Sequence, residues 1–68
     1  MRLVKRSFSL AGHRTSVALE PEFWDALTEI AQKRSQSLSA LVAGVDAERT
    51  PDEPLASSLR IFALKLYR

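Results

Sequence analysis

The sequence predicts a mostly α-helical chain with a short β ribbon near its start. The segment from Ser7 to Leu19 alternates, which is the period of a half-buried strand. The period then changes to that of a helix, and two prolines close together interrupt it nearer the C-terminus. We expect a single domain made of four parts: a basic arm or extra strand (1–12), a strand-helix-helix unit (13–49), a proline-rich linker (50–54) and a C-terminal helix (55–68).

The strand has one polar face and one face that can be buried, because successive side chains point in opposite directions. The polar face holds Arg14, Ser16 and Ala18. The other face holds Thr15, Val17 and Leu19. Glu20 and Pro21 end the strand, since proline fits the first turn of a helix and an acidic residue complements the positive helix N-terminus.

The first helix is predicted from Pro21 to about Arg34. Its apolar residues cover one arc, and polar or charged residues fill the opposite side. The apolar arc consists of Phe23, Trp24, Ala26, Leu27, Ile30 and Ala31. Such a helix packs one face on a core, and the polar stretch 35–37 separates it from the next helix.

The second helix is predicted to begin at Ser39, whose hydroxyl can accept a hydrogen bond from a free amide of the first turn. Its apolar stripe consists of Leu41, Val42 and Val45. Gly44 lies inside this helix, where glycine costs about 1 kcal/mol relative to alanine. We expect either close approach of another element to Gly44 or simple tolerance of a flexible turn.

A third helix is predicted from about Leu55 to Tyr67. Its core arc contains Leu55, Leu59, Phe62 and Leu66. Ile61 and Leu64 lie on the far side among polar residues, and a helix that is apolar nearly all round packs against two neighbours. Either this helix lies between two subunits, or Ile61 and Leu64 form an apolar patch for a protein partner.

The composition excludes several classes of function. The chain has one histidine and no cysteine, so it lacks the usual nucleophile–base pairs and zinc ligands. It also has no glycine-rich loop that could bind the phosphates of a nucleotide. We therefore expect no enzymatic activity, no metal and no cofactor. No apolar run approaches the roughly 18 to 20 residues of a membrane span and no signal peptide is recognised, so we expect a cytoplasmic protein.

Positive charge is concentrated at the N-terminus. Four of the ten basic residues precede Glu20, together with His13 and no acidic residue, whereas the rest of the chain holds six basic and all eight acidic residues. The four are Arg2, Lys5, Arg6 and Arg14. A one-sided basic segment is typical of proteins that bind a polyanion, and the alternative is a solvated arm.

The short chain predicts self-association. A domain of 68 residues buries only about 60% of the surface of its unfolded chain, and this one has no disulfide. Pairing of two copies of the strand satisfies the backbone of both and extends the core. We expect a homodimer core that contains Val17, Leu19, Leu41 and Val45.

The chain resembles ribbon-helix-helix DNA-binding proteins of the Arc repressor superfamily. The resemblance lies in the run 15–24, the amphipathic helix that continues from it and the run 38–42. The string 12–17, with Leu19, Glu20, Phe23 and Trp24, is similar to short bacterial ribbon-helix-helix domains of unassigned function. The resemblance covers nearly the whole chain. It implies an intertwined homodimer in which one strand from each subunit forms a ribbon that enters the major groove of DNA.

The resemblance also implies roles for individual residues. Arg14, Ser16 and Ala18 match the base-reading positions, where Arg14 suits guanine, Ser16 is less selective and Ala18 can contact only a thymine methyl. The start of the second helix, at Ser39, matches the site that binds a backbone phosphate. The remaining candidates for DNA contact are Lys5, Arg6 and His13.

The segment from Val4 to Leu10 can fold back on the strand through Ala11 and Gly12. Phe8 would then lie opposite Thr15 and Arg6 opposite Val17, although Ala-Gly is not a favoured pair for a two-residue turn. In a dimer the outer strands of the resulting four-stranded sheet would be roughly 14 Å apart, and the major groove is about 12 Å wide. Lys5 would then contact the DNA backbone, or the sheet would not enter the groove.

The sequence thus predicts a homodimeric DNA-binding protein that acts as a small transcriptional regulator. One alternative is a protein-interaction module, antitoxin-like or an adaptor, that uses Ile61 and Leu64 of the C-terminal helix. Another is a scaffold that has kept the fold and lost nucleic-acid binding.

Overall fold

A computed structural model describes residues 2–66. A two-stranded antiparallel hairpin precedes three helices: β1 (Val4–Leu10), β2 (His13–Leu19), α1 (Pro21–Lys33), α2 (Leu38–Glu48) and α3 (Leu55–Leu66). The predicted fold class, a short β ribbon followed by helices with an additional C-terminal one, is confirmed. None of the helices within residues 2–66 is long and apolar enough to cross a membrane.

The first part of the chain is a strand and not an arm. The predicted register is confirmed, with Phe8 opposite Thr15 and Arg6 opposite Val17. Ala11 and Gly12 form the turn, with φ of +51° and +81°. Positive φ at both residues is what a type I′ turn requires, and it is the turn that matches the twist of a hairpin. Ala11 therefore adopts a conformation that its Cβ disfavours, and the strand pairing offsets the cost.

One face of the hairpin, the inner face, packs on the helices. It supplies Phe8, Leu10, Val17 and Leu19 to a core that also contains Trp24, Leu27, Val42 and Leu59. Of the four residues predicted for a shared dimer core, Val17, Leu19 and Leu41 are buried within one chain and Val45 is half-buried. One edge of β2 pairs with β1 within the chain, so pairing with a second copy is left to the other edge and stays a prediction.

Helix α1 agrees with the predicted pattern. It begins at Pro21 and ends at Lys33, with Arg34 as its C-cap. Ser35, at φ +56°, turns the chain away from the helix. The buried residues are Trp24, Ala26, Leu27, Ile30 and Ala31, and Phe23 is half-buried.

Helix α2 begins two residues earlier than its predicted cap implies. Its N-cap is Ser37, whose Oγ accepts a hydrogen bond from the Ala40 amide at 3.0 Å, so the prediction of Ser39 as the cap is wrong. Leu38 is half-buried against the core, and its packing places Ser37, rather than Ser39, at the start of the helix. The expected close approach at Gly44 is also wrong, since no described atom lies within 4 Å of the position that its Cβ would take.

Helix α3 contacts α1, α2 and β2. The apolar residues Ile61 and Leu64, from which packing on the far side of the helix was predicted, are exposed within the chain. Leu55, Leu59 and Ala63 are buried. Leu66, predicted to be core, is 42% exposed, because it stands at the helix end, about one turn beyond the last buried residue.

Candidate nucleic-acid interface

The hairpin face turned away from the helices, which we call the outer face, consists of Lys5, Ser7, Ser9, Arg14, Ser16 and Ala18. The register places these residues in three facing pairs: Lys5 with Ala18, Ser7 with Ser16, and Ser9 with Arg14. All are exposed except Ala18, which is half-buried. The outer face holds two cations, three hydroxyls and no acidic group, so it is suited to an anionic partner.

Small side chains occupy the middle of the outer face, and the two cations stand at its ends. The hydroxyl oxygens of Ser7 and Ser16 are 3.1 Å apart, within hydrogen-bond distance. Arg14 donates from Nη1 to the Ser9 hydroxyl at 3.5 Å, a long contact that leaves most of the guanidinium donors for another partner. Lys5 and Arg14 are about 13 Å apart along the strand direction, at about 3.4 Å per residue.

Arg6 and His13 do not belong to the outer face. The Arg6 guanidinium lies 5.3 Å from the ring centroid of Trp24, on the inner side of the hairpin. The Trp24 ring is fixed in turn by its Nε1–H, which donates to the Val4 carbonyl at 2.8 Å. His13 is exposed beside the turn, paired with Leu10. The structure thus places Lys5 and Arg14 on the same face of the hairpin, at its two ends, and Arg6 on the other face.

Ser39 also lies outside the outer face. It is an exposed residue in the first turn of α2, and α2 packs on the opposite side of the hairpin, against β1. The Ser37 hydroxyl already satisfies the Ala40 amide. The other amides of this first turn, with the Ser39 hydroxyl, remain suited to an anion.

One edge of β2 is unpaired in the chain. Leu10 and His13 flank a two-residue turn and therefore exchange both of their backbone hydrogen bonds, and such pairs alternate along an antiparallel ladder. Arg14, Ser16 and Ala18 consequently direct their amide and carbonyl groups away from β1. Within residues 2–66, no other strand and no loop bonds to them.

A groove of about 550 Å³ lies along this edge of β2. One wall is formed by residues 15–18, and the other by Arg49 and residues 51–56 of the loop and the start of α3. The prolines of this loop carry no amide proton, so they cannot compete as donors for the strand edge. Sequence reasoning missed this groove because it depends on where the loop folds back in three dimensions.

Glu20 connects the end of β2 to α3. Its carboxylate accepts a hydrogen bond from Arg60 Nε at 3.0 Å. The pKa of Glu20 is lowered below its ordinary value. The main cause is a hydrogen bond from its own backbone amide, and the second is the hydrogen bond from the Arg60 guanidinium. Arg60 also lies 5.8 Å from the ring centroid of Phe23, so this contact holds α3 against the start of α1.

The described residues offer no metal site, since within 2–66 no three His, Asp or Glu side chains come together in a way that could hold an ion. Comparison with protein families matches residues 3–67 to a family described as a ribbon-helix-helix domain. Neither the search of curated proteins nor the search of solved structures found a match.

Proposed function

Because the chain belongs to the ribbon-helix-helix family, we propose that it is a homodimeric DNA-binding protein that regulates transcription. The observation that carries the proposal is the position of the unpaired β2 edge beside an outer face without acidic groups. Two copies that pair along this edge join their outer faces into one positive surface. Since a transcriptional regulator acts on the genome, we place it in the cytoplasm of a bacterial cell.

In this dimer the two β2 strands lie at the centre of a four-stranded sheet and the two β1 strands lie outside them. Arg14, Ser16 and Ala18 of both copies then line the central ribbon. The major groove, about 12 Å wide, admits a two-stranded ribbon. Arg14 contacts guanine, Ser16 contacts a base edge with less selectivity, and Ala18 contacts a thymine methyl.

The outer strands lie over the DNA backbone, because four strands at about 4.8 Å spacing are wider than the groove. Lys5 is then a phosphate contact. Arg6 and His13 lie off the outer face. Arg6 adds to the positive potential around the hairpin, and both side chains contact flanking phosphates. The first turn of α2, with Ser39, binds a further phosphate through its amides.

The test is a titration of fluorescent duplex DNA of random sequence at several salt concentrations. If Lys and Arg side chains neutralise phosphates, the logarithm of the binding constant falls linearly with the logarithm of the salt concentration. Absence of binding even at low salt would contradict the proposal. The same chain with Lys5 and Arg14 both changed to Gln serves as the matched control and should bind DNA much more weakly.

A second candidate function is that of a protein-interaction module. The observation that favours it is the exposure of Ile61 (44%) and Leu64 (70%) on α3, since exposed apolar side chains that lie together mark interaction sites. A chain that binds no DNA at any salt concentration, but whose association with a protein is lost when both residues are changed to Lys, would favour this function over DNA binding.

A further inference from the structure

A notch between α1 and α3 has no role in the DNA-binding proposal. Phe23 and Leu64 form its walls, and its floor consists of Ala26 and Ala63, which are buried. Alanine on both helices leaves space that larger side chains would fill, so an indentation of about 220 Å³ remains between them. Glu22 completes the lining at the solvent side.

The walls of the notch present apolar surface to solvent. Leu64 is 70% exposed, more than any other large apolar residue of the described chain, and Phe23 is half-buried. Drug-sized molecules bind in pockets of about 300 to 1,000 Å³, and the notch is smaller than these. It therefore fits one large apolar side chain of a partner protein better than a small-molecule effector.

The rim of the notch is acidic. Glu22 lines it, and Asp25 lies about one turn further along α1. Both are exposed, and within residues 2–66 neither forms an ion pair. The positive N-terminus of α1, equivalent to roughly half an elementary charge, offsets only part of the two negative charges. The rim therefore keeps a net negative charge.

Arg60 does not neutralise this rim. Its Nε donates to the Glu20 carboxylate at 3.0 Å, and its guanidinium lies 5.8 Å from the ring centroid of Phe23. Its charge is thus matched by Glu20. Further along α1, Lys33 is matched by Glu29 at 3.6 Å. The two carboxylates of the rim are therefore left for the complementary charges of a partner.

We propose that the notch binds a basic amphipathic segment of another protein. The segment inserts one large apolar side chain between Phe23 and Leu64 and places Lys or Arg side chains over Glu22 and Asp25. The acidic rim repels nucleic acids and anionic lipid surfaces, and it disfavours a partner whose apolar side chains are flanked by acidic residues. The charge thus selects the chemistry of the partner, and the apolar walls supply the affinity.

This proposal rests on the interaction function that the exposure of Leu64 favours, and it adds the class of partner and the place where that partner binds. Ile61 does not belong to the notch, because it lies on the other side of α3 and lines the groove toward α2. The outer face of the hairpin is turned away from the helices, so DNA and the basic segment contact different residues. A chain bound to DNA can therefore bind the partner protein at the same time.

The test uses a fluorescent peptide of about 18 residues, long enough to form a helix, with leucines along one stripe and lysines on either side of it. Fluorescence anisotropy without DNA should show that this peptide binds the full chain. The same peptide with glutamate in place of lysine should bind at least about tenfold more weakly. Equal binding of the two peptides, or no binding of the lysine peptide at any concentration, would overturn the proposal.

A pair of apolar variants tests the position of the site. Leu64→Ser should weaken binding of the lysine peptide about tenfold, because the peptide loses an apolar wall of the notch. Ile61→Ser is the matched control, since Ile61 is also exposed on α3 but lies outside the notch, and it should leave binding nearly unchanged. Equal losses in the two variants would contradict binding in the notch.

A pair of charge variants tests the rim. Glu22→Gln combined with Asp25→Asn should weaken binding of the lysine peptide about fivefold, since each exposed ion pair contributes little by itself. Glu48→Gln combined with Asp52→Asn removes the same charge from exposed positions away from the notch and should have almost no effect. If the two double variants lose equally, the peptide responds to net charge and the proposal is wrong.

Sedimentation equilibrium of the Leu64→Ser chain without peptide tests whether a second copy occupies the notch instead. The variant should associate with itself as the parent does, and a loss of self-association would overturn the proposal. The peptide titration contains no DNA, so its failure leaves the DNA-binding proposal standing. Equally, a chain that binds no DNA but binds the lysine peptide through Leu64 would leave this proposal standing.

Discussion

The inner and outer faces of the hairpin are built from alternate residues of the same two strands, yet their environments are opposite. On the inner face Val17 and Leu19 are 4% and 0% exposed. Their neighbours in sequence, Ser16 and Ala18, belong to the outer face and contact no helix residue through a hydrogen bond. Substitutions at neighbouring positions of the strand can therefore affect stability and binding separately, because one residue lies in the core and the next lies on the candidate interface.

The largest expected effect comes from a charge placed on the inner face. Val17→Asp should unfold the chain, since an unpaired charge in the core costs several kcal/mol, a large part of the stability of a small domain. Ser16→Asp is the matched change on the outer face and should keep the fold while it greatly weakens DNA binding by repulsion. Circular dichroism melts of both variants measure the first effect. A folded Val17→Asp chain would show that the inner face is not core.

A smaller effect is expected from the two cations of the outer face. Arg14→Ala should cost about 1–3 kcal/mol on a preferred duplex and relax the base preference there. Lys5→Ala should weaken binding to all duplexes alike and reduce the salt slope by about 2, because each dimer loses two phosphate contacts. Fluorescence titrations on a selected and on a random duplex separate the two. Equal losses on both duplexes for both variants would mean that Arg14 reads no base.

The smallest effect belongs to the contact that joins β2 to α3. The pKa of Glu20 is lowered in the fold from its ordinary value of 4.5. The ionised Glu20 therefore stabilises the chain at pH values above 4.5, and this contribution is lost as the pH falls through the lowered pKa. Urea melts at about pH 7 and about pH 3 should show a loss of stability that is smaller in Glu20→Gln. An identical pH dependence in that variant would show that this carboxylate makes no difference.

The alternation of residues predicted the register of the hairpin, because the side-chain period of a strand fixes which residues share a face. It left open whether the segment before His13 is an arm or a strand. The first residue of a helix was harder to predict from the sequence. Ser37 and Ser39 are both suitable N-caps for α2, and the packing of Leu38 decides between them. The turn conformation of Ala11 depends on the pairing of the strands on either side, not on its own preference.

The candidate site was predictable only in part. The membership of the outer face follows from the register, but Arg6 was grouped with Lys5 by charge alone, and its stacking on Trp24 requires the tertiary arrangement of β1 and α1. The groove beside β2 arises from elements distant in sequence, so no local pattern indicates it.

A matched pair of proline variants tests the pairing of two copies through the β2 edge. Ser16→Pro removes an amide that points to the unpaired edge of β2, whereas Ser7→Pro, at the facing position, removes one that points to the outer edge of β1. Both variants lose the same Ser7–Ser16 hydroxyl contact, so that loss cancels in the comparison.

DNA binding by the two variants, measured by fluorescence titration with circular dichroism to verify the fold, decides the claim. We expect the Ser16→Pro chain to stay folded and to lose most of its affinity for duplex DNA, while the Ser7→Pro chain binds nearly as the parent does. Equal affinities of the two variants, with both folded, would contradict pairing through β2.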